Sequence, residues 1–414
     1  MNGKTILFVG IGLGISFIGM LFLFYGYENT WKLWGIQTMY PYFADLRTIT
    51  GGAESWALGY DPLVNNPGDP GGRLMDYPRV WQVLFRAGIS QADTIYFGIA
   101  FSLFFFAGIL LCVPANIDNA SAILLLCSIF SPAAFLGLER GNNDLFIFFL
   151  LSVTIALSNK DSIYLKAIAI ASALFAFILK LFPIFAFVFI VKERKSVLIR
   201  LGCIVLAIAA TYLVLTYEDL VLIRHATQRD RATDFSYGID VFWMSINEYN
   251  PAQGGIAKIA TYLAVPIGLL LLLLGFFTKD SKPAPIENTH GSQKRIDAFR
   301  IGSAIYTGTF ILGSNYDYRL IFLLFTIPHL VFLATAPANN VSRVAKIVII
   351  SILVSMWNMA LLHATPFIIV LSFFLDQLAK WVVFFGLAYL TSCSMPAWIK
   401  EKFASMFSHY DARA

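Results

Sequence analysis

The sequence predicts an all-α polytopic membrane protein, a bundle of about twelve transmembrane helices with its functional groups at the outer ends of the spans. Two observations carry that prediction. The 414 residues are 58% hydrophobic and only 13% charged, with 38 Phe, more apolar surface than a soluble fold of this size can hide. The apolar residues also fall into runs of bilayer-spanning length. A net charge of +5 arises from Lys and Arg dispersed between those runs, which gives no nucleic-acid patch. Cys112, Cys127, Cys203 and Cys393 lie in apolar segments without metal-ligand spacing and read as small buried hydrophobes. No cofactor is implied, and a need for a divalent cation stays open.

The first run, 6–25, follows Lys4 with no small-residue cleavage site, so it reads as a retained span. Residues 26–92 form a first outer segment, and its stretch 41–80 is the one the chain is organised around. Phe43, Leu46, Ile49, Ala53 and Trp56 fall at helical spacing, predicting a helix on the membrane surface with Asp45 near its start, off the apolar stripe. Arg47 follows two residues on. Turn-rich sequence comes next (Asp61-Pro62, Asn65-Asn66-Pro67, Asp69-Pro70-Gly71-Gly72), then Asp76-Tyr77-Pro78-Arg79.

Later apolar runs lie near 94–113, 120–137, 144–158, 162–179, 181–191, 196–217, 257–278, 298–313, 319–336, 343–361 and 378–395. Within 162–191, Lys180-Leu181-Phe182-Pro183 interrupts the pattern. Two short spans or one bent segment fit, since a broken helix at membrane depth needs protein or a cavity to satisfy its backbone. Residues 218–256 form a second outer segment with mixed charges around Trp243 and Tyr249, read as a solvated loop or a lid over the site. Residues 279–297 read as a polar, mobile cytoplasmic linker, and 366–377 as an interfacial helix. No internal repeat is visible, so 1–414 is a single integral membrane domain.

Orientation follows from the cations. Lys160, Lys166, the cluster 192–195, Arg200, the stretch 279–300, Arg343, Lys346, Lys400 and Lys402 share one side if the spans alternate. The positive-inside bias makes that side cytoplasmic, together with both termini.

The unusual polar residues then gather on the opposite, extracytoplasmic face. Besides Asp45, Arg47, Asp76 and Tyr77, they are Glu139, Arg140, Asn142, Asn143 and Asp144, then Lys180, then Asn315, Asp317, Tyr318 and Arg319, and finally His363. Charges at membrane depth are costly unless paired or facing a cavity. As a solvated turn, a snorkelling lysine and an aromatic belt they would each be unremarkable; their convergence is the signal. The chain lacks a P-loop, HExxH, GxSxG and an Asp-x-Asp pair, which argues against soluble nucleotide-sugar chemistry. Transfer of a sugar from a lipid phosphate needs a carboxylate to deprotonate the acceptor hydroxyl and a cation to stabilise the departing phosphate. Asp45 fits the first need; Arg140, Lys180 or Arg319 the second.

The order of Asp45 after the first span, Gly59-Tyr60-Asp61-Pro62, Asp76-Tyr77-Pro78, Gly141-Asn142-Asn143 and Lys180-x-x-Pro183 resembles the GT-C fold glycosyltransferases. It is most similar to glycosyltransferase family 87 (the DUF2029-type polytopic proteins), which includes polyprenol-phosphate-mannose-dependent mannosyltransferases. The resemblance covers most of the chain in layout and implies a GT-C-type bundle with Asp45 as general base. A Gly-Gln-x-Asn turn of that family corresponds to Gly141-Asn142-Asn143, with Asn in place of Gln, and its Lys-x-x-Pro matches Lys180 and Pro183 directly. Where the family often carries Tyr-Pro-Pro, this chain has Tyr77-Pro78-Arg79, which leaves donor and acceptor identity open. The implied activity is inverting transfer of a hexose such as mannose, from a polyprenyl-phosphate donor to a lipid or cell-envelope glycan, in a bacterial inner (plasma) membrane. A transporter or flippase of lipid-linked or small solutes is the competing expectation; it would place its site at the midplane and often show a repeat. A non-catalytic scaffold is a third.

Overall fold

A computed structural model describes residues 1–227, 235–278, 290–364 and 369–411. Helices dominate it. Six are long and apolar enough to cross a membrane: Gly3–Tyr25, Gln91–Cys112, Lys195–Leu215, Pro251–Phe277, Asn340–His363 and Val370–Cys393. Two bent pairs, Asn119–Ile129 with Pro132–Arg140 and Asp317–Phe325 with Ile327–Ala334, raise the number to eight if each counts as one span. The architecture is that expected of an all-α polytopic membrane protein. The expected count of about twelve is not reproduced, because the apolar runs differ in what they become. Asp144–Leu157, Ile163–Leu179 and Phe182–Lys192 are short, and the run 298–313 belongs to the helix His290–Leu312, whose first turns are polar.

The bends have local causes. Pro132 has no amide proton to continue the preceding helix, and Ser131 restarts the chain by accepting a hydrogen bond from the Ala134 amide, a 48° turn in all. The interruption expected near Lys180 is present. Ile163–Leu179 ends there, Lys180 is extended (φ −163°), and a 3₁₀ segment, Phe182–Lys192, follows. Outward-facing Leu13, Phe17 and Leu23 on the first helix are exposed, as lipid contact requires.

Two apolar cores hold the bundle. The larger gathers Leu7, Leu46, Phe105, Phe148, Phe322 and Phe325 among others, with Phe148 stacked on Phe325 at 4.3 Å. The smaller joins His290–Leu312 to the last two long helices through Tyr306, Phe310 and Phe384. A two-residue antiparallel pair, Ser236–Tyr237 with Asn315–Tyr316, ties the second outer segment to the site.

Three expectations are corrected. The apolar stripe of the helix Ala44–Ala57 is covered mainly by protein where lipid contact was expected. Leu46, Ile49 and Ala53 enter the larger core, Thr50 meets Thr94 at 2.7 Å, and Ser55 donates to Asn66. Only Trp56 of the expected stripe is exposed, and Phe43 precedes the helix with φ 60°. The linker 279–297 ends early: 290–297 is helical, and Asp297, fully buried, pairs with Lys192 at 2.5 Å; residues 279–289 lie outside the described residues. No separate interfacial helix occupies the described part of 366–377, because residues from Ile369 run unbroken to Cys393.

Candidate functional site

The turn at 141–144 is the structural hinge of the site. Gly141 (φ 59°) ends the helix Pro132–Arg140, and the amides of Asn142 and Gly141 return to the carbonyls of Gly137 and Leu138. That is a Schellman closure, which favours glycine at the left-handed position. It turns the Asn142 side chain between two partners. Its Oδ1 accepts from the Asp144 amide at 2.9 Å, opening the next helix, and its Nδ2 donates to Asp45 Oδ2 at 2.7 Å.

Asp45 is placed from the other side by Phe43. The Phe43 ring sits where Gly98 and Gly141 have no side chains; a Cβ on Gly98 would lie 2.4 Å from the ring, and one on Gly141 2.8 Å from the Phe43 Cβ. The half-buried carboxylate of Asp45 therefore has one oxygen held by Asn142.

Beyond Asn142 the polar network continues inward. Lys180 donates to Asn143 Oδ1 at 2.9 Å and Asp144 Oδ1 at 2.7 Å, with a longer contact of 3.4 Å to Asn142 Oδ1. The break in the helix at Lys180 brings its ammonium there, 5.4 Å from the Tyr77 ring centre and 5.9 Å from that of Tyr318. Arg319 Nε donates to the second oxygen of Asp144 at 3.1 Å, Arg319 also bonds Asn315, and its guanidinium lies over the Phe182 ring at 4.4 Å. Two cations thus share one carboxylate, with the carboxylates of Asp45 and Asp76 close by. The Lys180 and Arg319 side chains keep 16% and 14% exposure.

Asp76 lies within electrostatic reach of Lys180, Asp45 and Arg73. Burial pushes its carboxyl up to about 6, against the pull of Lys180 and reinforced by the charge of Asp45. Its loop is pinned by Arg73, which pairs with Asp69 at 2.9 Å and donates to the Ala44 carbonyl. At the rim, Arg79 bridges Asp61 at 2.8 Å and Asp219 at 2.6 Å; its guanidinium holds the Asp61 carboxyl below the usual carboxylate range.

The structure therefore brings together Asp45, Asp76, Tyr77, Asn142, Asn143, Asp144, Lys180, Asn315, Tyr318 and Arg319. Five expected residues face elsewhere. Arg47 donates to the Tyr42 carbonyl and to Gln91. Glu139 accepts from the Met39 amide and pairs with Arg140, which also reaches the Gln37 carbonyl; both secure the segment leading into Asp45. Asp317 turns to the opposite side of its segment, onto Lys380. His363 is exposed at the end of its helix, against Gly35. Of the second outer segment, Asp219 and Asp240 are paired with Arg79 and with Trp243 and Tyr262; Arg229, Asp230, Arg231 and Asp234 lie outside the described residues.

Sequence reading missed Lys380, Asp376 and Gln377. The signal was available: an acid and a lysine four apart inside an apolar run face one side of a helix. Among the described residues no group of three or more His, Cys, Asp or Glu side chains is arranged to hold a metal ion.

No protein-family model matches this chain, and no significant match was found to a curated protein or to a solved structure.

Proposed function

We propose that this chain is a membrane hexosyltransferase of the GT-C type, working on a polyprenyl-phosphate-linked sugar and inverting at the anomeric carbon. The observation that supports it most is the pairing of an accessible, amide-held carboxylate, Asp45, with two cations that share a single counter-ion. In the reaction, Asp45 takes the proton of the acceptor hydroxyl as that oxygen attacks the anomeric carbon. The carbon–oxygen bond to the phosphate breaks on the opposite face, and the phosphate leaves with the bonding electrons. Lys180 and Arg319 stabilise the charge that develops there. Arg140, bound to Glu139 and Gln37, drops out of that role. Tyr318 offers a ring face to the sugar, Tyr77 packs buried behind Lys180, and Asp76 and Asn315 offer polar groups.

The acceptor is a lipid or cell-envelope glycan, and the membrane is the bacterial inner membrane with both termini in the cytoplasm. In support, Lys294 lies within electrostatic reach of Lys4 and Lys160, gathering cations from three parts of the chain at one end as the positive-inside bias requires.

The test is transfer of label from a radiolabelled polyprenyl-phosphate hexose to endogenous lipids in membranes. Wild type is expected to make a labelled glycolipid, and Asp45→Asn to fold normally and make none, a loss of at least ~100-fold for a general base. Undiminished transfer by Asp45→Asn removes Asp45 as the base. No transfer by folded wild type from any such donor moves the chain to the transporter or scaffold class.

A further inference from the structure

We propose that Lys380 is a positioning residue for the site, acting through the segment that carries Tyr318 and Arg319; the inference rests on the transferase reading above. Lys380 lies in the middle of the long helix Ile369–Cys393 and is fully buried. Its ammonium bonds Asp317 at 2.9 Å, Asp376 at 2.6 Å and the Ser236 carbonyl at 3.0 Å. Gln377, one turn before it, donates to that same carbonyl.

The contacts to Ser236 and Asp317 lead back to the site. Ser236 is paired with Tyr316 in the short strand ladder, and the Asp317 amide donates to the Phe235 carbonyl at 2.9 Å. Asp317 stands two residues before Arg319, and the 3₁₀ segment Asp317–Phe325 begins there. One buried cation therefore fixes both strands and the first residue of the segment from which Tyr318 and Arg319 project. An ammonium inside a span is costly to keep, and no apolar side chain at 380 offers three hydrogen bonds, two of them to groups on other elements. The arrangement fixes the direction in which Arg319 reaches Asp144.

The experiment combines a mutational cycle with hydrogen exchange on the full chain in nanodiscs. Variants are Lys380→Met, Arg319→Gln and the double variant. Because an unpaired carboxylate at this depth threatens folding, the charge-free variant Asp317→Asn/Asp376→Asn/Lys380→Met is made as well. If Lys380 acts through Arg319, Lys380→Met lowers transfer at least tenfold on its own but costs less than threefold on top of Arg319→Gln. Multiplying losses would show general loosening and overturn the proposal. So would a charge-free variant that folds and transfers like wild type. Exchange supplies the readout that does not depend on the reaction. In Lys380→Met, or in the charge-free variant if Lys380→Met does not fold, faster exchange is expected at 235–237 and 315–319 and unchanged exchange at 142–147. A uniform change, or none, overturns the proposal even if wild type transfers no sugar. Absence of transfer by wild type, with the localised exchange pattern present, defeats the transferase reading and leaves the placement of Arg319 by Lys380 standing.

Discussion

Two ion clusters flank the same short segment, and they are built in opposite proportions. On one side Lys180 and Arg319 share Asp144; on the other, Asp317 and Asp376 share Lys380. The first keeps 16% and 14% of its cationic side chains accessible. In the second, no side chain exceeds 1%. A cluster in which two partly accessible cations share one bonded carboxylate can exchange a partner with an arriving anion. A cluster sealed from solvent can only hold what it already has. Under the proposed function, the difference separates a group of charges that binds from a group that braces.

Substitutions at the two lysines test that distinction most strongly. Lys380→Met strands two sealed carboxylates and should cost about 3–5 kcal/mol, read as a fall in melting temperature in detergent. Lys180→Met leaves Asp144 its bond to Arg319, so a smaller loss of about 1–3 kcal/mol is expected, with transfer reduced far more than stability. Equal losses at the two positions would break the comparison. Asp76→Asn comes next, and its effect depends on pH. The Asp76 carboxyl titrates at about 6 in the fold against 3.8 ordinarily. The protonated form is thus favoured by folding: its stabilisation is complete below pH 4 and lost as pH rises through 6. Asparagine mimics that form, so the variant should match wild type near pH 4 and exceed it by roughly 1–2 kcal/mol at pH 7.5, after allowance for partial exposure. A gain at both pH values would place the effect elsewhere. The smallest change is Arg79→Ala at the rim, under about 1 kcal/mol in low salt and vanishing as salt is added.

Much of this was legible in the residues. Periodicity located the apolar runs, and the Lys-x-x-Pro sequence marked a real break, because a proline and a charge inside an apolar run both oppose a continuous helix. Asp45, Asn142, Lys180 and Arg319 were each visible as polar groups at run ends. Which of them would meet was not. Arg140 and Asn142 are two residues apart, yet the left-handed Gly141 sends one toward Gln37 and the other toward Asp45. Tyr318 and Arg319 likewise part from Asp317, which is sequence-adjacent and faces the sealed cluster. The number of crossings was the weakest reading, since hydropathy cannot distinguish a full span from a short helix ended by a polar turn. What covers the apolar face of the helix after Phe43 was misread for a related reason. An amphipathic pattern records one apolar face and cannot say whether lipid or protein will cover it, and here Thr50 and Ser55 found partners on the other face.

The fit of Phe43 between Gly98 and Gly141 changes how this region should be surveyed by mutation. Both glycines contribute by leaving space, so the ring between them is indexed by vacancy. Alanine scanning ordinarily deletes atoms and watches what fails. At 98 and 141 the same substitution adds a methyl group, and it pushes against the ring two positions ahead of Asp45. Tolerance at 98 should rank side chains by bulk, a pattern that marks a steric gauge for the carboxylate it sets, whereas at 141 the left-handed backbone (φ 59°) adds its own preference for glycine.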